Sequence, residues 1–109
     1  MEKDAVLNGA LRLASAVTAN YRIRYPDSTI GKTADVQVLK KFYKIVIRDV
    51  FNGDYSSGSV NAFIDKETGD VYKPKSWKAP AKGVRYNVLT DMDILEEIAD
   101  FAGGYLYRR

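Results

Sequence analysis

From Glu2 to about Tyr21 the apolar residues Val6, Ala10, Leu13, Ala14, Val17 and Tyr21 recur at spacings of three and four, which predicts an amphipathic helix. Leu7 and Leu11 widen the stripe, and Glu2 and Asp4 in the first turn suit the helix dipole. Gly9, after Asn8, is a weak point worth about 1 kcal/mol relative to Ala. The stretch Tyr21-Arg22-Ile23-Arg24-Tyr25 reads either as the end of that helix or as a short extended segment, and Pro26-Asp27-Ser28 marks a turn.

From Thr33 to Lys40 the pattern is too short to separate a strand over Val36-Gln37-Val38-Leu39 from a helical turn capped by Thr33, and a loop or short helical turn is the expectation. The β-branched run Ile45-Val46-Ile47 gives Phe42 to Phe51 the composition of a strand, with Tyr43, Ile45 and Ile47 on the expected core side. A polar connection, Asn52 to Gly58, leads to a second strand over Ser59 to Asp65. Lys66-Glu67-Thr68-Gly69 predicts a tight turn closed by a left-handed glycine, leading into a third strand from Asp70 to Lys73. After Asn87, Met92, Ile94, Leu95, Ile98 and Phe101 lie at helical spacing among acids, with Thr90 as the expected cap and Gly103-Gly104 as the stop. Tyr105-Leu106-Tyr107 is expected to add an edge strand, and Arg108-Arg109 two further cations. The sum is an α+β fold: an antiparallel three- or four-stranded meander packed against N-terminal and C-terminal helices.

Composition narrows the chemistry more than the fold. At 109 residues, with 46% hydrophobic and 28% charged residues, residues 1–109 are expected to form one domain with an ordinary core. With no Cys and no His, thiolate nucleophiles, imidazole bases and the usual zinc ligands are missing. Neither Ser-x-x-Lys nor a nucleophile elbow occurs, so a binding protein rather than an enzyme is expected. No metal or cofactor is expected: Asp65, Glu67 and Asp70 fall in a tight hairpin without EF-hand spacing. Gly31-Lys32-Thr33 resembles the tail of a phosphate loop, but Pro26 stands where that motif needs its first glycine, so Lys32 is expected to be an ordinary loop lysine. No apolar run approaches a membrane span and no signal peptide opens the chain, so a cytoplasmic protein with no membrane partner is expected.

The net charge of +3 matters through its distribution. From residue 73 to residue 85 the cations Lys73, Lys75, Lys78, Lys82 and Arg85 are interrupted by no acid, and the only Trp, Trp77, stands among them. Lysines beside an aromatic ring neutralise phosphates while the ring stacks on a base, with Trp77, Tyr72 and Tyr86 as the candidate rings. Folded into a pocket at a subunit boundary, as in a homodimer, the same residues hold one small nucleotide, with Arg85 on phosphate and Asn87 or Ser76 reading polar edges. The opposing structural interpretation places Trp77 in the core and Tyr72 in the sheet. It also has the acids Asp91, Asp93, Glu96, Glu97 and Asp100 neutralise the loop. Arg22 and Arg24 read as a solvated helix end, the alternative being a second phosphate-contact patch.

The segment Val60 to Asn87, above all Thr68-Gly69-Asp70-Val71-Tyr72-Lys73 and Trp77-Lys78-Ala79-Pro80-Ala81-Lys82-Gly83-Val84-Arg85, resembles small uncharacterised proteins of tailed bacteriophages, as does Gly103-Gly104-Tyr105-Leu106-Tyr107-Arg108. That family has no assigned activity, so the resemblance carries over no functional residues. It implies a phage origin and action in the cytoplasm of a bacterial host. It also implies either a role in nucleic-acid metabolism or interference with host defence, through a host protein or by sequestering a cyclic nucleotide.

Overall fold

The computed structural model describes residues 2–27, 31–51, 54–55 and 58–107. Helix α1 (Glu2–Arg24) is followed by strands β1 (Gly31–Val38), β2 (Phe42–Phe51), β3 (Asp54–Tyr55), β4 (Ser59–Asp65), β5 (Asp70–Tyr72) and β6 (Tyr86–Asn87), then helix α2 (Met92–Ile98) and a 3-10 turn (Gly104–Leu106). The sheet is antiparallel in the order β1-β2-β4-β5-β6, and β3 pairs with the end of β2. This is the α+β meander the pattern predicts, widened by β1 on one edge and β6 on the other.

The apolar stripe of α1 works as its spacing predicts: Val6, Ala10, Leu13 and Val17 are fully buried, and Ala14 and Tyr21 nearly so. They pack on Tyr43, Ile45, Ile47, Ala62, Ile64 and Val71, the side chains that alternate onto one face of the sheet. At about 1.5 Å per residue, 23 residues span about 35 Å, close to the 37 Å long dimension of the molecule. The helix continues through Arg22 and Arg24 and stops before Pro26, whose ring disfavours helix in the residue ahead of it. Its end is held by Tyr21, Tyr25 and Phe101, whose ring centroids lie 5.1 to 5.8 Å apart.

Four expectations are corrected. Residues 31–38 form a strand, not a loop or helical turn: all eight pair with β2, and a partner decides where local propensity is balanced. Lys32, expected in a loop, lies in that strand and pairs with Asp49. Tyr105-Leu106-Tyr107 adds no edge strand; Tyr105 and Leu106 are buried in the 3-10 turn, entered through Gly103 at φ 80°. The second helix is only seven residues long, and Asp91 rather than Thr90 stands at its N-cap, its carboxylate accepting the Asn87 N–H at 2.9 Å. The expected turn at Pro26-Asp27-Ser28 is described only as far as Asp27. Of the expected connection Asn52 to Gly58, residues 52–53 and 56–57 lie outside the described residues, as do Arg108 and Arg109.

The β4–β5 turn follows its sequence. The Asp65 carboxylate accepts the Glu67 and Thr68 N–H groups at 2.8 and 3.0 Å, and Gly69 closes the turn at φ 81°. The other face of β2 and β4 is covered too, since Lys44, Val46 and Phe63 are buried. Among the described residues no helix is long and apolar enough to cross a membrane.

Two expectations for stability follow from this packing. A Cβ on Gly9 would lie 2.7 Å from the Val88 Cβ, so the helix passes the chain at residue 88 at a distance only glycine allows. Gly9→Ala is expected to be destabilising: overpacking costs about 1–3 kcal/mol, against about 1 kcal/mol gained in helix propensity. Urea melts of the two proteins measure the balance. Burial, reinforced by Asp100 and Tyr86, raises the pKa of Tyr105, and burial with Asp70 and Asp65 raises that of Tyr72. The unfolded chain therefore loses these protons first, and stability is expected to fall as pH rises through the ordinary tyrosine value of about 10. Guanidinium melts between neutral pH and pH 11 check the direction.

Candidate functional site

The basic segment leaves β5 at Tyr72 and returns as β6 at Tyr86, with the Arg85 N–H donating to the Val71 carbonyl at 2.7 Å. Between these points it folds back on itself. The Lys73 carbonyl accepts the Ala81 N–H at 2.8 Å, Pro74 faces Pro80 in an antiparallel bridge, and the Ala79 carbonyl accepts the Lys75 and Ser76 N–H groups at 3.0 and 3.1 Å. The prolines fix φ and contribute no donor, so the pairing is short. Ser76, Trp77 and Lys78 form its tip, where the Ser76 hydroxyl accepts the Lys78 N–H at 3.3 Å.

This tip is seated on the sheet by Lys44. The lysine rises from β2 on the face away from α1 and is only 3% exposed. Its ammonium donates to the Trp77 carbonyl at 2.7 Å and lies 3.9 Å from the Trp77 ring centroid, with the Phe63 ring 5.8 Å away. Burial lowers the Lys44 pKa, because a charged amine out of water is penalised; the carbonyl and the two ring faces offset part of that cost. Sequence analysis missed Lys44. Its one signal was a lysine alternating with apolar residues in a strand, which is also how a solvent-facing lysine reads.

Trp77 is not a core residue: 42% of it is exposed, and the structure decides against the packed alternative. Lys75, Lys78 and Lys82 are exposed along the same loop, while Lys73 lies over the Tyr107 ring at 4.8 Å. Other sequence candidates are employed elsewhere. Tyr72 stands edge-on to Phe42 within the sheet, at 6.3 Å between centroids, and Tyr86 is half-buried against the core. The Asn87 amide donates to the Thr68 carbonyl and the Asp70 carboxylate, both at 2.9 Å, and its oxygen accepts the Leu89 N–H at 2.7 Å, so both of its donors are engaged within the fold. Arg85 is half-buried where the loop returns to the sheet.

Among the described residues no ion pair joins the acidic segment to Lys73, Lys75, Lys78 or Lys82. Glu96 pairs with Arg12 of α1 at 2.5 Å, Asp91 holds the Asn87 N–H, and Asp100 accepts the Gly104 N–H at 3.0 Å. Further ion pairs join Lys32 to Asp49 and Arg48 to Asp35, and among the described residues Lys73, Lys75, Lys78 and Lys82 make none. Arg22 and Arg24 lie exposed in the last turn of α1, where the helix dipole favours cations. Three cavities lie away from the loop: about 590 Å³ between α1 and β1, 380 Å³ by Lys40, Lys41 and Lys66, and 880 Å³ beside Arg12 and Glu96.

Fold and site together define a small α+β protein that displays a basic aromatic loop from one face of its sheet. The chain belongs to the Family of unknown function (DUF7717), whose model matches residues 3–108. Neither the curated proteins nor the solved structures contain a match.

The Lys44 seat has a direct test. Lys44→Met keeps the apolar stem and removes the charge, so stability is expected to change by no more than about 1 kcal/mol, since a buried charge is costly even when partnered. Trp77 is expected to lose its seat: its emission should shift to the red and its anisotropy fall. Unchanged Trp77 emission in a folded Lys44→Met variant would show that the loop holds without the lysine.

Proposed function

We propose that this protein is a binding module, not an enzyme, and that it engages a phosphate-bearing ligand, nucleic acid foremost, through the tip of the 73–85 loop. The observation that carries this reading is Trp77, exposed and braced by Lys44, in a loop whose exposed lysines Lys75, Lys78 and Lys82 no described ion pair occupies. The lysines neutralise phosphates and the indole offers a face to a base, a combination that tolerates many sequences.

The residues we assign to contact are Lys75, Ser76, Trp77, Lys78 and Lys82, with Lys73 at the base of the loop. Tyr72, Arg85 and Asn87 shape and anchor the segment rather than meet the ligand. A small or cyclic nucleotide is the weaker reading, because such ligands are usually enclosed and the three cavities described have no wall in this loop. Enclosure would need a second copy of the chain. In line with the phage resemblance, we place the activity in the cytoplasm of a bacterial host.

The test is titration of Trp77 fluorescence with a single-stranded oligonucleotide at several salt concentrations, alongside a panel of cyclic nucleotides. In the combined variant Lys75→Ala, Lys78→Ala, Lys82→Ala, affinity for the oligonucleotide is expected to fall. The slope of log affinity against log salt should shrink by about 2, at about 0.7 per lost phosphate contact. A folded triple variant with unchanged affinity and slope would overturn the assignment. Saturation only by one cyclic nucleotide would replace it with sequestration, and silence toward every ligand would point to a host protein as the target.

A further inference from the structure

We infer that Tyr107 is a second stacking platform, and that the ligand is a single strand long enough to lie across Trp77 and Tyr107 together. The inference rests on the reading of the loop given above and extends it by one residue and by the class of ligand.

Tyr107 directly follows two residues with the opposite environment. Tyr105 and Leu106 are 1% and 0% exposed, whereas Tyr107 is 56% exposed. The backbone beneath it is fixed, because its N–H donates to the Gly104 carbonyl at 3.0 Å and the Tyr105 hydroxyl donates to Asn61 at 2.6 Å. An exposed ring on a rigid base loses little freedom when it binds. The core does not use this ring; what holds it is Lys73, 4.8 Å from its centroid.

That lysine brings Tyr107 to the start of the loop that carries Trp77. Lys73 opens the loop and Trp77 stands at its tip, four residues on, so their Cα atoms are at most about 14 Å apart. Each ring has a lysine ammonium at cation–π distance, Lys44 at Trp77 and Lys73 at Tyr107, and each is partly exposed to solvent. Lys75 and Lys78 lie in the chain between or beside them. Aromatic rings alternating with cations along a track are how a single strand is held: phosphates meet the cations while successive bases stack. A mononucleotide has one base and engages one ring. A duplex keeps its bases stacked on each other and offers neither ring a free face.

The experiment is a length series, thymidine monophosphate and oligothymidylates of increasing length, titrated into the wild type, Tyr107→Leu and Tyr107→Phe and followed by Trp77 quenching. For the longer strands, Tyr107→Leu is expected to weaken binding about ten- to a hundredfold, the loss of one stacked base. Binding of the monophosphate should be unchanged, and Tyr107→Phe, which keeps the ring, should behave as wild type. Tyr107→Leu binding long strands as tightly as wild type would overturn the second platform and leave the loop assignment standing. An equal loss for monophosphate and long strands would overturn it too, since that would mark Tyr107 as a support of the loop. Absence of Trp77 quenching by any strand would overturn both readings.

Discussion

The Asn61 side chain lies at the irregularity between β2 and β4, where Ile45 faces Ala62 and Val46 faces Val60, leaving Asn61 without a partner across the ladder. It is 3% exposed, accepts the Tyr105 hydroxyl proton at 2.6 Å, and donates to the Asp100 carbonyl at 3.0 Å. A polar group this deep is tolerated only if its hydrogen bonds are made, and these bonds bring the end of the chain to the sheet. Through them the centre of β4 is connected to the segment that follows α2 and to Tyr105 in the 3-10 turn that precedes Tyr107. The bulge thus re-aims one side chain and sets where the last ten described residues lie.

The opposite surface of the sheet is organised around another buried polar group. Lys44 sits beside Val46 and Phe63, a position where an apolar residue would pack more cheaply, and its ammonium is spent on the Trp77 carbonyl and ring. Loop 73–85 has few backbone bonds of its own, so an outside anchor decides where its tip rests. Fixing Trp77 in advance reduces the ordering cost of binding, which fits a contact residue better than a freely moving ring would. The phenylalanines beneath, Phe42 and Phe63 at 5.8 Å, give that anchor a firm floor.

Charge is divided between the faces by the same topology. α2 lies against α1, so Glu96 meets Arg12 at the helix pair, while the loop emerges from the far end of β5. Asp91, Glu96 and Asp100, which follow the loop closely in sequence, are engaged elsewhere in space, and none of them pairs with the lysines at its tip.

Much of this was legible in the chain. The three-four spacing of Val6 to Tyr21 located α1 and its buried face, the β-branched run located β2, and Asp65 with Gly69 located the turn, because each depends on interactions within a few residues. The cluster of cations around Trp77 was visible for the same reason. What depended on partners was not. Residues 31–38 became a strand because β2 was there to pair with them, and Tyr105 was buried because Asn61 waited at a bulge that no local pattern announces. The exposed Trp77 rests against Lys44, 33 residues away, a contact no local pattern announces. Sequence alone determined which segments bury apolar faces and where positive charge gathers, since both are sums over neighbouring residues. Tertiary structure alone decided which aromatic rings stay exposed, because exposure is set by whatever arrives from elsewhere in the chain to cover or support them.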